Sequence, residues 1–207
     1  MSILTSHRRK RTGNHIVVAS LFILEGILLT GCGDKEKYLT SISIDKEGIV
    51  TNSIYEEFDQ NYYDISELSD MASQEISYYN SEYISPKITL DETQLLEDGT
   101  VAKLVMTFDS ASDYGHFNQT TLFYGTVNEA SEKGFTLSGE LVDEDGARID
   151  LGSKDFSDRH IIISGDRTRI IAPFNIEYMT KGVTAHGKKE ADLTNVSADS
   201  VQLLLSK

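Results

Sequence analysis

Residues 64–83 read DISELSDMASQEISYYNSEY, and their spacing decides the fold class. Ile65, Leu68, Ala72, Ile76, Tyr79 and Tyr83 step by three or four, which lays one apolar stripe along a helix. Asp64 is placed to cap that helix, with Glu67 three residues on as its capping-box partner. Pro86 stands just beyond the end, where a helix stops. This is the main helix of the chain, and the patterns on either side of it alternate instead.

Upstream, residues 38–58 (YLTSISIDKEGIVTNSIYEEF) read as a hairpin. Leu39, Ser41, Ser43 and Asp45 fall on one face; Tyr38, Thr40, Ile42 and Ile44 fall on the other. Lys46-Glu47-Gly48 is the turn, and residues 49–55 return as the second strand. Downstream, residues 87–96 and 100–108 flank Glu97-Asp98-Gly99, and Asp-Gly between two β-rich runs is a hairpin signal. SASDYGHFN, residues 110–118, reads as a short helix or a helical turn. Thr126-Val127-Asn128-Glu129 matches a capping box that opens another short helix, with Gly134 at its end.

From Phe135 onward the pattern is almost wholly β. FTLSGELV and ARIDLG flank Asp143-Glu144-Asp145-Gly146, and HIIIS, TRIIA, NIEYM and VQLLLS are further strands. Strands and helices do not alternate regularly, so the expectation is an α+β fold: a mostly antiparallel sheet, one main helix, one or two short helices and a β-rich C-terminal half. The simplest arrangement is the helix packed on one curved sheet. The spacing does not order the strands.

The first residues carry Arg8, Arg9, Lys10 and Arg11, followed by the apolar run IVVASLFILEGILLTG at residues 16–31. A positive start, an apolar middle and small residues at the end form the layout of a secretory signal. The run is shorter than the roughly 20 apolar residues a spanning helix needs, and Glu25 interrupts it. The stretch LLTGCGD, residues 28–34, then holds the one cysteine of the chain. Leu29-Thr30-Gly31-Cys32 resembles the lipobox of bacterial lipoproteins. That resemblance implies a diacylglycerol on the Cys32 thiol and cleavage just before it. Residues 113–130 (DYGHFNQTTLFYGTVNEA) and 170–183 (IIAPFNIEYMTKGV) resemble segments of small uncharacterised lipoproteins of Gram-positive gut bacteria, and no activity comes with that likeness. The expected organisation is a signal peptide over 1–31, the lipidated cysteine and a short tether over 32–37, and a single α+β domain over 38–207.

The whole chain carries a formal charge of −14. Removing four basic residues and one acidic residue with the signal leaves −17 on the mature part. Such a domain repels nucleic acid and anionic head groups. With its only thiol committed to lipid, the mature chain has no internal disulfide and must be held by its core. The tether GDKEK reaches only about 20 Å when fully extended, which keeps the domain near the membrane.

Chemistry-bearing residues are few. Asp109, Asp113 and His116 form the best metal-like cluster, but a site needs three or four converging ligands, so no metal is expected. Asp143-Glu144-Asp145-Gly146 has part of a calcium-loop pattern, yet the twelfth position is Lys154 where a glutamate is required. A hairpin turn accounts for the same residues. Tyr62, Tyr63 and Tyr78, near Asp59, Asn61 and Asn80, are candidates for an aromatic platform that would bind a sugar or other small ligand. No nucleophile elbow, P-loop or dinucleotide fingerprint is present, so the chain is expected not to be an enzyme and to carry no cofactor. Taken with the lipobox, the expectation is a lipid-anchored extracytoplasmic interaction domain of a bacterial cell envelope. It would be tied to the membrane through Cys32 and would engage an envelope protein through an exposed sheet face or edge. The alternative is a glycan- or small-molecule-binding lipoprotein.

Overall fold

Ile42 and Ile44 are buried while Ser41 and Ser43 are only half-buried, the period-two burial of a strand with one face on a core. In the computed structural model, which describes residues 38–60, 62–151 and 156–206, they form β1 (Ser41–Ile44). Residues 1–37, with the signal, Cys32 and the tether, lie outside the described residues. β1 pairs antiparallel with β2 (Val50–Glu57) in the register Ile44↔Val50. Gly48 closes their turn at φ 88°, and a Cβ there would stand 3.5 Å from the Tyr124 ring. The backbone angle therefore favours glycine here, while the Tyr124 contact is an ordinary van der Waals one.

α1 (Ile65–Asn80) follows, with Asp64 accepting a hydrogen bond from the Ser66 N–H as its cap. Its stripe buries Ala72 and Ile76 and half-buries Tyr79. The helix ends at Asn80, before Tyr83. The Asn80 side chain accepts from the N–H groups of Lys87 and Ile88 and donates to the Ile88 carbonyl, so the helix end is tied to the next strand. That strand, β3 (Ile88–Leu96), pairs with β4 (Val101–Phe108) around a tight turn. Glu97 and Asp98 in that turn have φ of 47° and 55°, left-handed angles that favour glycine.

The two short helices form where the sequence placed them, with a strand between. α2 (Ala111–Asn118) starts at Ser110, β5 (Leu122–Thr126) follows, and α3 (Val127–Glu132) carries the full capping box of Thr126 and Glu129. The remaining strands are β6 (Leu141–Val142), β7 (Arg148–Ile149), β8 (His160–Ser164), β9 (Arg169–Ile171), β10 (Ile176–Met179), β11 (Thr184–His186), β12 (Glu190–Asp192) and β13 (Val201–Leu205). The fold is α+β, rich in strands, and mostly antiparallel; β1 and β9 form a parallel pair.

The strands form two sheets, not one curved sheet. The larger runs β11-β12-β9-β1-β2-β4-β3 and the smaller runs β5-β8-β13-β10-β6-β7. From β8 onward the chain steps repeatedly between sheets, which local periodicity cannot register. Burial on both faces of β8 and β13 follows from this: Ile161, Ile162 and Ile163, and Val201 through Leu205, are all buried. On one face Ile161, Ile163 and Leu204 pack with Phe123, Val127, Ala130, Leu141 and Leu151. On the other, Tyr124 meets the β1–β2 turn at Gly48, and His160 stacks between Tyr124 and Phe174.

One polar side chain sits inside the larger sheet's buried face. Asn52 lies between Ile42 and Met106 in register and is 4% exposed, with no hydrogen-bond partner for its Oδ1 among the described residues. An unmet buried acceptor costs about 1–3 kcal/mol. Asn52→Val is therefore expected to raise stability by about 1 kcal/mol, read as a higher urea midpoint at unchanged slope.

Candidate interaction surface

Exposed aromatic and aliphatic groups gather at the two ends of α1. At the first end, β2 and β3 finish and β4 begins, and the chain enters β1. The Phe58 N–H donates to the Thr100 carbonyl and fixes the path out of β2. The Tyr63 ring lies 5.0 Å from Phe58 and 4.9 Å, edge-on, from Tyr62. Tyr62 is 76% exposed. Nearby, the Tyr38 ring lies 5.5 Å from Tyr55, and its hydroxyl donates to Glu97. Desolvation, then Tyr62 and Asp59, push the Tyr63 phenol above its ordinary value. Desolvation and the Glu57 charge likewise raise Glu56.

At the other end, Tyr83 donates to the Tyr79 hydroxyl, Tyr79 donates to Asp113 Oδ1 at 3.2 Å, and Ser110 donates to Asp113 Oδ2. Burial, then the hydrogen bond from Tyr83 and the Asp113 charge, hold Tyr79 far above the usual phenol range. Phe117 stands edge-on to Tyr79 and to Phe108, joining α2 to the helix and the larger sheet. Beyond this network, Ile84 is fully exposed next to Tyr83.

The tyrosine platform is only partly assembled. Tyr62 and Tyr63 touch, but Tyr78 lies thirteen residues along the helix from Ile65, about 20 Å away at 1.5 Å per residue. Asn80 is committed to backbone groups and Asp59 accepts from the Gln60 amide; Asn61 lies outside the described residues. Asp109, Asp113 and His116 do not converge. Asp109 pairs with Lys87 at 3.0 Å, Asp113 is turned inward to Tyr79 and Ser110, and His116 is exposed. No group of three or more metal-ligating side chains occurs among the described residues. In the 143–146 segment, Asp143 accepts from the N–H groups of Asp145 and Ala147, which makes it a hairpin turn. With Asn175, Glu177, Tyr178 and Lys188 it lines a shallow depression of about 410 Å³.

Sequence reasoning passed over Ile84 and Asp166. Ile84 carried a signal, an apolar residue off the helix stripe and two before Pro86. Asp166 had none beyond its place in a Gly-Asp turn. Its carboxylate accepts from the Tyr114 and Thr120 hydroxyls, each at 3.0 Å. Burial raises Asp166 above the usual carboxylate range, against the pull of those two hydroxyls and of Arg167. The folded chain then holds this proton at a pH where the unfolded chain has lost it. Stability from this group rises as pH falls through the folded value and levels off below the unfolded one. Urea titrations from pH 7 to pH 4 are expected to show that gain in the native chain and to lose it in Asp166→Asn.

No family model matches this chain, and no curated protein or solved structure matches it either.

Proposed function

We propose that this chain is a lipid-anchored extracytoplasmic interaction domain of a bacterial cell envelope. Cys32 would carry the lipid, and the end of the domain bearing Tyr83 and Ile84 would meet a protein partner. The observation that carries the reading is Ile84, a large aliphatic side chain left wholly in solvent on a short connection that Asn80 anchors. Ile84 does not stand alone: Tyr83 beside it is 38% exposed, and adjoining exposed apolar groups are what mark a contact surface. The lipobox-like residues 29–32 supply the location. Among the described residues, no helix is long and apolar enough to cross a membrane.

A photoreactive amino acid placed at position 84 of the full chain tests this in cells. The expected product is one reproducible adduct with an envelope protein, lost when unlabelled protein is in excess. Adducts with no protein, and a glycan or small molecule recovered with the chain, would overturn the reading. They would favour a ligand-binding lipoprotein, for which the depression beside Tyr178 and the 143–145 carboxylates is the observation.

A further inference from the structure

We infer that Tyr62 and Tyr63 form a second membrane contact, seated among zwitterionic lipid head groups beside the anchor, since the acidic flanks repel anionic ones. The inference rests on the reading of Cys32 as lipidated. Five residues, GDKEK, separate Cys32 from Tyr38, and even when extended they hold Tyr38 within about 20 Å of the bilayer. Tyr38 is fixed on the domain by its ring contact with Tyr55 and its hydrogen bond to Glu97. Glu97 stands in the turn where β3 ends, and Phe58, leading to the tyrosine pair, is bonded to Thr100 of the same turn. Tether entry and tyrosine pair therefore share one end of the larger sheet. Tyr83 and Ile84 lie at the opposite end, beyond the C-terminus of α1, a helix of sixteen residues spanning about 24 Å.

The chemistry of the pair suits that place. A tyrosine puts an apolar ring and a polar hydroxyl at the head-group level, neither fully wet nor fully in hydrocarbon. Tyr62 stands edge-on to Tyr63, which is backed by Phe58, so the pair is presented rather than folded under. Asp59 and Asp64 on either side limit its depth to the head-group layer. The contact needs little intrinsic affinity, because a short tether holds the local lipid concentration in the millimolar range. Its effect is to orient the domain end-on, with Ile84 facing away from the membrane.

The chain has no tryptophan, so a single substitution supplies an optical probe. The full chain carrying Tyr62→Trp, at a site already mostly in solvent, is reconstituted into phosphatidylcholine vesicles with brominated acyl chains. The expected result is loss of about half the indole emission for Tyr62→Trp and no loss for Ile84→Trp, since only the first reaches the interface. Vesicle flotation reads the anchor separately. A chain that floats but shows no quenching at position 62, or equal quenching at 62 and 84, overturns the end-on contact and leaves the anchor standing. A chain that does not float overturns the anchor, and the contact with it.

Discussion

Cys32→Ser is expected to abolish fatty-acid incorporation completely. The chain has one thiol, and thioether formation to a diacylglycerol needs the sulfur nucleophile that serine lacks. Each buried methylene contributes about 0.8 kcal/mol to membrane binding, and one chain of myristoyl length holds a protein only marginally, so both acyl chains of a diacylglycerol are needed for stable anchoring. Metabolic labelling with an alkyne-tagged fatty acid, read on the immunoprecipitated protein, should fall from a clear signal to background. Intact mass should change in step: the native chain loses residues 1–31 and gains the lipid, and the variant shows neither the lipid nor its mass. Undiminished labelling of Cys32→Ser would mean that residues 29–32 are not a lipobox.

Phe108→Ala is expected to cost about 3–5 kcal/mol, the range for deleting a fully buried aromatic side chain. Phe108 has no exposed surface and stands in register between Val50 and Ile88. Its ring meets Tyr114 at 5.2 Å and Phe117 at 5.7 Å, both edge-on, so one side chain joins the larger sheet to α2. Against a total stability on the order of 5–15 kcal/mol, that loss removes a fifth or more of the whole, and at the low end of the range it populates the unfolded chain. Equilibrium urea unfolding measures it directly, and Phe108→Leu, which keeps most of the volume, should cost less than about 2 kcal/mol. A loss for Phe108→Ala under about 1 kcal/mol would show that the site collapses around the missing ring.

Both hairpins, the Asp64 cap and the Thr126–Glu129 capping box were legible because each is set by residues within a few positions of one another. The two sheets were not. Ser41 pairs with Arg169 across most of the chain, and no local period marks that parallel neighbour. β11 and β12 are three residues each and largely exposed or half-buried, so Thr184–His186 and Glu190–Asp192 lack the apolar run that identifies a strand. A signal for the second layer did exist. HIIIS and VQLLLS are continuous rather than alternating, the mark of strands covered on both faces. At the surface, the adjacency of Tyr62 and Tyr63 was visible in the sequence. The separation of Tyr78 was implied there too, because a helix that starts beside Asp64 carries Tyr78 about 20 Å along its length.

The stepping of the chain between sheets also bears on how the protein reaches its native state as it emerges. β9 fills the place beside β1, and β13 fills the centre of the smaller sheet between β8 and β10. A chain emerging N-terminus first can form the β1–β2 and β3–β4 hairpins and α1 early, all from near neighbours. Until residues 169–171 arrive, one side of β1 stays an open edge, a template for pairing with other chains. Until residues 201–205 arrive, the smaller sheet has no middle. Final assembly therefore waits on the last strand to emerge, and a molecule cut short before Val201 leaves a β-rich body with unpaired edges, open to aggregation and proteolysis.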